Sequence, residues 1–150
     1  MPQSLVKNLI HLDFSTKNRD PFLADEIRPS LFAYQSGILK ELQSPVLVIG
    51  GVADHVHVLF MLSKNHALAK VIEEVKTGST KWIKTQSDRY RGFHWQSGYG
   101  AFSVSESNVG QVRHYIERQA EHHRKTSFQD ELRALLERHG VPYDERYLWD

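Results

Sequence analysis

The sequence predicts an α+β fold: a ferredoxin-like or RRM-like antiparallel sheet of the split βαβ kind, with helices on one face and two more helices toward the C-terminus. Two observations predict it. Short β-branched runs alternate with segments whose apolar residues recur at helical spacing. Their order is strand, helix, strand, strand, helix, strand, which is the split βαβ arrangement.

The first strand is NLIHLDF, Asn8 to Phe14, and the polar TKNRDPFL after it is a loop carrying Pro21. Ile27, Leu31, Tyr34, Ile38 and Leu42 are spaced as the buried stripe of a helix. Gln43-Ser44-Pro45 ends it, because proline cannot continue a helix. VLVIGGV is the second strand and DHVHVLFML, opened by Asp54, the third; their short connection implies a hairpin. Ser63-Lys64-Asn65 opens the second helix, with Leu68, Val71, Ile72, Val75, Trp82 and Ile83 as its buried stripe. TQSDRYRGFHWQSGYG, rich in glycine and aromatics, is a loop, and AFSVS is the fourth strand. A helix starts near Ser107 and runs through VGQVRHYIERQAEHH. Thr126 and Gln129 have capping-box spacing and open a last helix that stops at Gly140, before Pro142. The tail PYDERYLWD is aromatic and acidic. With no repeat and no linker, residues 1–150 read as one domain, its core at 8–126 and the last helix and tail at 127–150.

Composition narrows the function classes. Apolar residues make up 40% and charged residues 25%, as in soluble globular proteins. There is no cysteine, which excludes disulfides, thiolate metal sites and cysteine nucleophiles. No apolar run is long enough to span a bilayer and the N-terminus lacks a signal-peptide layout, so the expected location is the cytoplasm. The net charge is only +1, but it is unevenly spread. Lys64 to Arg91 holds seven basic residues against three acids, a net +4, whereas Gln129 to Asp150 holds six acids against three arginines, a net −3. The basic centre fits a phosphate-binding face as well as a solvated helix face. On the first reading Lys64, Lys70, Lys81 and Lys84, with Arg113 and Arg118 further on, track a nucleic-acid strand. Trp82, Trp95 and Tyr99 are candidates for base stacking, with core packing the alternative for Trp82.

The third strand carries the first chemical signal. His55 and His57 are two residues apart, so they share a face, with Cα atoms roughly 7 Å apart. Two imidazoles at that distance can converge on one ion, or can be two half-exposed histidines beside a turn. The second signal is in the helix after the fourth strand. Tyr115 and Gln119 are four apart and lie on one face, one turn from each other; Arg118 and His122 form a neighbouring pair. A surface helix with a self-packed tyrosine has the same pattern. Tyr is a weak nucleophile at neutral pH because its pKa is near 10. A divalent cation on a scissile phosphate supplies the missing activation. His55, His57 and the Gln119 amide oxygen are a donor set suited to Mg²⁺ or Mn²⁺, with Tyr115 beside it. Among the six tyrosines, Tyr34 falls on the first helix's buried stripe, Tyr90 and Tyr99 on a loop, and Tyr143 and Tyr147 in the acidic tail. The remaining histidines, His11, His66, His94, His114, His122, His123 and His139, read as solvated.

HVH on a strand followed by YIERQ on a helix resembles the HUH single-tyrosine transposases of insertion sequences and their REP-associated relatives. HLDFSTKNR resembles that family's first strand and basic turn, and the likeness runs from about Leu9 to about Ser127. The resemblance implies that Tyr115 attacks single-stranded DNA at hairpin-marked ends, forms a 5′-phosphotyrosine link and releases a 3′-hydroxyl. It also implies a homodimer in which one subunit's tyrosine helix can complete the other's HUH site. The REP-associated branch usually has an Asn-Pro stretch after the tyrosine helix. AEHHRKTSFQDE stands there instead, which favours an insertion-sequence transposase. A histidine-triad phosphohydrolase fails because Leu59 occupies the next alternate position, and a cupin site fails because Leu59 to Lys64 hold no Glu. The alternatives are an RRM-like nucleic-acid-binding module and a catalytically inactive, domesticated descendant.

Overall fold

The computed structural model describes residues 1–122 and 125–149. Four strands, β1 (Leu9–Ser15), β2 (Val46–Gly51), β3 (His55–Met61) and β4 (Gly100–Val104), form an antiparallel sheet in the order β2-β3-β1-β4. Strands β1 and β3 are central and pair along their whole length, Leu9 opposite Met61 and Asp13 opposite His57. The predicted α+β, split βαβ architecture is the observed one.

Alternation along the central strands gives the sheet two unlike faces. Ile10, Leu12 and Phe14 point to the side of Val56, Val58 and Phe60. Helices α1 (Arg28–Glu41) and α2 (Leu68–Lys84) cover that side, burying Leu31 and Leu39 from one and Val71, Ile72, Val75 and Ile83 from the other. The other side of the same strands carries His11, Asp13, Ser15, His55 and His57, all buried. The C-terminal elements lie over it: α3 (Val109–Glu117), α4 (Gln119–His122) and α5 (Phe128–Arg138), followed by the short α6 (Glu145–Leu148). Phe102 of β4 packs with Phe128, Leu132, Leu135 and Leu136 of α5, and Tyr143, Leu148 and Trp149 close the edge of this second cluster. Gly50 lets α3 come close, since a Cβ there would stand 2.7 Å from the Ile116 carbonyl oxygen.

Several details differ from the sequence reading. Helix α2 begins at Leu68 after an Ala67 cap, later than Ser63-Lys64-Asn65. The buried face of α1 runs through Leu31, Gln35 and Leu39, while Tyr34 is 40% exposed and stacks on Trp82 at 5.2 Å between ring centres. A face of 100° per residue admits either stripe, and packing on α2 selects this one. The tyrosine helix is two segments, broken at Arg118 (φ −104°, ψ 23°), with no Pro or Gly there to announce the break. The cap of α5 is Ser127, which accepts from the Asp130 amide, one residue after the expected Thr126. Trp95 is buried between Phe14 and Phe93 and donates to Ser79, so it is core and not a stacking platform. Among the described residues no helix is long and apolar enough to cross a membrane.

Candidate functional site

The polar face of the sheet and the helices over it bring together side chains far apart in sequence. His55 and His57 each use one ring nitrogen outward and one inward. His55 Nδ1 meets Asp54 Oδ1 at 2.6 Å, and its Nε2 meets Gln119 Oε1 at 3.2 Å. His57 Nδ1 meets His11 Nε2 at 2.8 Å, and its Nε2 meets Glu131 Oε1 at 2.8 Å. The two Nε2 atoms, the Gln119 amide oxygen and the Glu131 carboxylate thus share one point of convergence. Glu131 Oε1 is also 3.6 Å from His55 Nε2.

Tyr115 enters from α3. Its ring centre is 5.7 Å from that of His57 and 6.1 Å from that of His11. Its hydroxyl donates to Glu131 Oε2, and His122 Nε2 lies 3.0 Å from the same carboxylate oxygen. Burial, and next the Glu131 charge, push the Tyr115 phenol well above its ordinary value, so it is held protonated here. Tyr115, His122 and Glu131 line one wall of a cleft of about 530 Å³ between β4, α3 and α5, which also reaches His11, Arg138 and His139.

The donor arrangement fits a divalent cation. If Asp54 holds the Nδ1 proton of His55, the Nε2 lone pair faces the Gln119 oxygen, and such facing lone pairs repel unless a proton or cation lies between them. Among the described residues, His55, His57 and Glu131 form one buried group whose ligand atoms all lie within 4.8 Å of one another, and His11, Asp13 and His57 form a second. The second group lies on the outward side of His57. There it orients the ring, as carboxylates and other acceptors do behind metal-bound histidines. Burial, with a contribution from His57, pushes the His11 imidazole down to about 3, so it stays neutral and can pair with either tautomer of His57.

Asp13 is fully buried, and among the described residues neither carboxylate oxygen has a hydrogen-bond partner; His57 Nδ1 is 3.9 Å away. Burial, then the Glu131 charge, raise its carboxyl well above the usual range. A folded pKa above the unfolded one means that the native state binds the extra proton, so stability falls as pH rises beyond the ordinary carboxylate value. Asp13→Asn is therefore expected to stabilise the protein by about 1–3 kcal/mol at neutral pH in chelator. The gain should vanish below about pH 4, and Mn²⁺ affinity should fall about tenfold or more. Denaturant melts at several pH values and calorimetry check both arms. A gain that is the same at every pH would contradict this account.

The structure thus gathers Tyr115, His55, His57 and Gln119. It adds Glu131, Asp13 and Asp54, and it moves His11 and His122 from the solvent into the site. His123 lies outside the described residues. The basic residues are divided. Lys70, Lys81 and Lys84 sit on α2, with Lys64 just before it, across the sheet from the histidines. Lys70 pairs with Glu74 at 3.1 Å and Lys64 bonds the Ser4 carbonyl at 3.3 Å. Arg113 and Arg118 lie on the tyrosine side, Arg113 bonding the Leu47 carbonyl at 2.9 Å and Arg118 pairing with Glu121 at 3.6 Å.

Comparison with known proteins gives the family of the chain. The chain is 25% identical over 114 residues to the ISDra2 transposase TnpA of Deinococcus radiodurans, covering 73% of this chain and 81% of that protein. A crystal structure described as a transposase from Deinococcus radiodurans R1 superposes with a TM-score of 0.62 at 24% identity, over 77% of this chain and 93% of that one. A REP-associated tyrosine transposase bound to a REP hairpin superposes at 0.54 and 14% identity, over 76% and 66%. The family model described as "Transposase IS200 like" matches residues 4–119, and with most of the chain so covered the protein belongs to the IS200-like transposase family.

Proposed function

We propose that this transposase cleaves and rejoins single-stranded DNA at hairpin-marked element ends through a 5′-phosphotyrosine link to Tyr115. One observation carries the reading: the Tyr115 hydroxyl stands beside the same chain's histidine pair, at the wall of an open cleft. Tyr115 Oη bonds to phosphorus as the bond from phosphorus to the 3′-oxygen breaks. Glu131 is the nearest acceptor for the phenol proton; the departing 3′-oxygen takes a proton from water, and the hydroxide so formed is neutralised by the proton that Glu131 releases, so protons balance. Attack by a 3′-hydroxyl on the phosphotyrosine reverses these changes and joins a strand without ATP. His55, His57 and Gln119 would hold Mg²⁺ or Mn²⁺, which when bound withdraws charge from the phosphoryl oxygens. The test is a labelled hairpin DNA with Mn²⁺, run on a denaturing gel: a protein–DNA adduct is expected, and cleavage without adduct would mean hydrolysis instead.

The same gel separates the alternatives, since an inactive descendant or an RRM-like module would bind without cleaving. An RRM-like module also needs exposed aromatics on its sheet. Here that face is polar at its centre, and its Phe102 is buried under α5.

Hairpin recognition is supported by the hairpin-bound relative. Arg113 and Arg118, on the tyrosine side, are the first phosphate contacts proposed, and the α2 lysines would be reached by a strand passing round the sheet edge. Affinity for hairpin DNA should fall steeply with salt, by about 10³-fold or more between 50 and 200 mM if six or more phosphates are neutralised. A flat salt profile, or preference for plain duplex, would count against this interface.

A two-fold dimer is proposed as the working unit, with the outer edges of β2 and β4 available for strand pairing. Sedimentation should show the dimer at micromolar concentration; only monomer, with and without DNA, would contradict it.

A further inference from the structure

Glu131 lies beyond the family match, which ends at residue 119. It occupies the buried stripe of α5 between Phe128, Leu132 and Leu135, and is 3% exposed. An acid in such a stripe is costly unless it is paired. It is paired within the site: Oε1 faces His57 Nε2 at 2.8 Å and His55 Nε2 at 3.6 Å, while Oε2 faces His122 at 3.0 Å and accepts from Tyr115. The helix that carries it is held at its start and along its flank. Ser127 caps its start, and the Phe102 cluster holds its flank.

We propose that Glu131 is a further, anionic ligand of the divalent cation, and that its second oxygen ties Tyr115 to that centre. The proposal rests on the histidine-pair metal site described above. Two imidazoles, an amide oxygen and a carboxylate form a harder, more negative donor set than the histidines and Gln119 alone, which favours Mn²⁺ and Mg²⁺. One carboxylate then spans the ion and the nucleophile. The position of Tyr115 depends on the C-terminal helix as well as on its own.

Titration calorimetry with Mn²⁺ alone tests this on the full chain, comparing wild type, Glu131→Gln, Glu131→Ala and His57→Ala. Thermal melts of each with EDTA and with Mn²⁺ give a readout independent of catalysis, since a bound ion raises the midpoint by an amount that grows with the logarithm of its affinity. Both Glu131 variants should bind about tenfold or more weakly than wild type, with a smaller Mn²⁺-induced rise, and His57→Ala should lose more. The near-isosteric Gln variant keeps the test valid if the Ala variant folds poorly. Equal or tighter binding by Glu131→Gln, with His57→Ala still impaired, overturns the proposal alone: Glu131 would then be an occupant that the ion displaces. Unimpaired binding by His57→Ala, or no binding by wild type, overturns the metal site itself.

Discussion

Tyr115→Phe is expected to abolish the covalent protein–DNA adduct and to lower strand cleavage by at least about 10⁴-fold, because it removes the proposed attacking atom and nothing else. The fold should persist. The lost hydroxyl bonds a carboxylate that His57 and His122 also contact and lies 3.4 Å from His122 Nε2, and both partners keep each other, so the change in stability should stay within about 2 kcal/mol. Hairpin binding should be near wild type, since a phenol contributes no charge to phosphate contacts. An adduct formed by the Phe variant would assign the nucleophile to another residue. Tyr34 and Tyr147 are exposed enough to react but stand on other elements, away from the histidine pair.

His57→Ala should have the second largest effect. His57 is fully buried and contacts both His11 and Glu131, so its loss would remove one proposed ligand and the link to the groups behind it. Mn²⁺ affinity should fall by more than about 100-fold, beyond what loss of a supporting partner costs, and adduct formation should fall with it. Excess Mn²⁺ should restore part of the adduct, which it cannot do for Tyr115→Phe. Circular dichroism in chelator checks that the variant is folded, and His55→Ala repeats the test from the other side. Unchanged affinity in both would remove the histidine pair from the metal site.

The histidine pair, Tyr115 and Gln119 were legible because each signal is local. A two-residue spacing shares a strand face and a four-residue spacing shares a helix face. The partners behind them were harder to see. His11 and Asp13 lie on one face of LIHLDFS by the same alternation, yet nothing in the sequence says that this face meets the HVH face until β1 and β3 are paired. Glu131 left a trace, an acid among Phe128, Leu132, Leu135 and Leu136. Its target depends on how α5 crosses β4, which is a long-range fact. The break at Arg118 left no residue-level trace. The net charge of the central segment is a count from the sequence, but its place across the sheet follows only from the packing of α2.

The row His11, Asp13, Ser15, His55 and His57, buried in the middle of the sheet, has a consequence for the history of such genes. Each of these positions would be filled more favourably by Leu, Val or Ile if folding were the sole demand. Selection for DNA movement alone keeps them polar, against the pull of stability. Copies of the gene that have stopped moving but still encode a useful binding protein should therefore lose this row first. They should replace it with aliphatic residues while Ile10, Leu12 and Phe14, one step along the same strand, stay as they are.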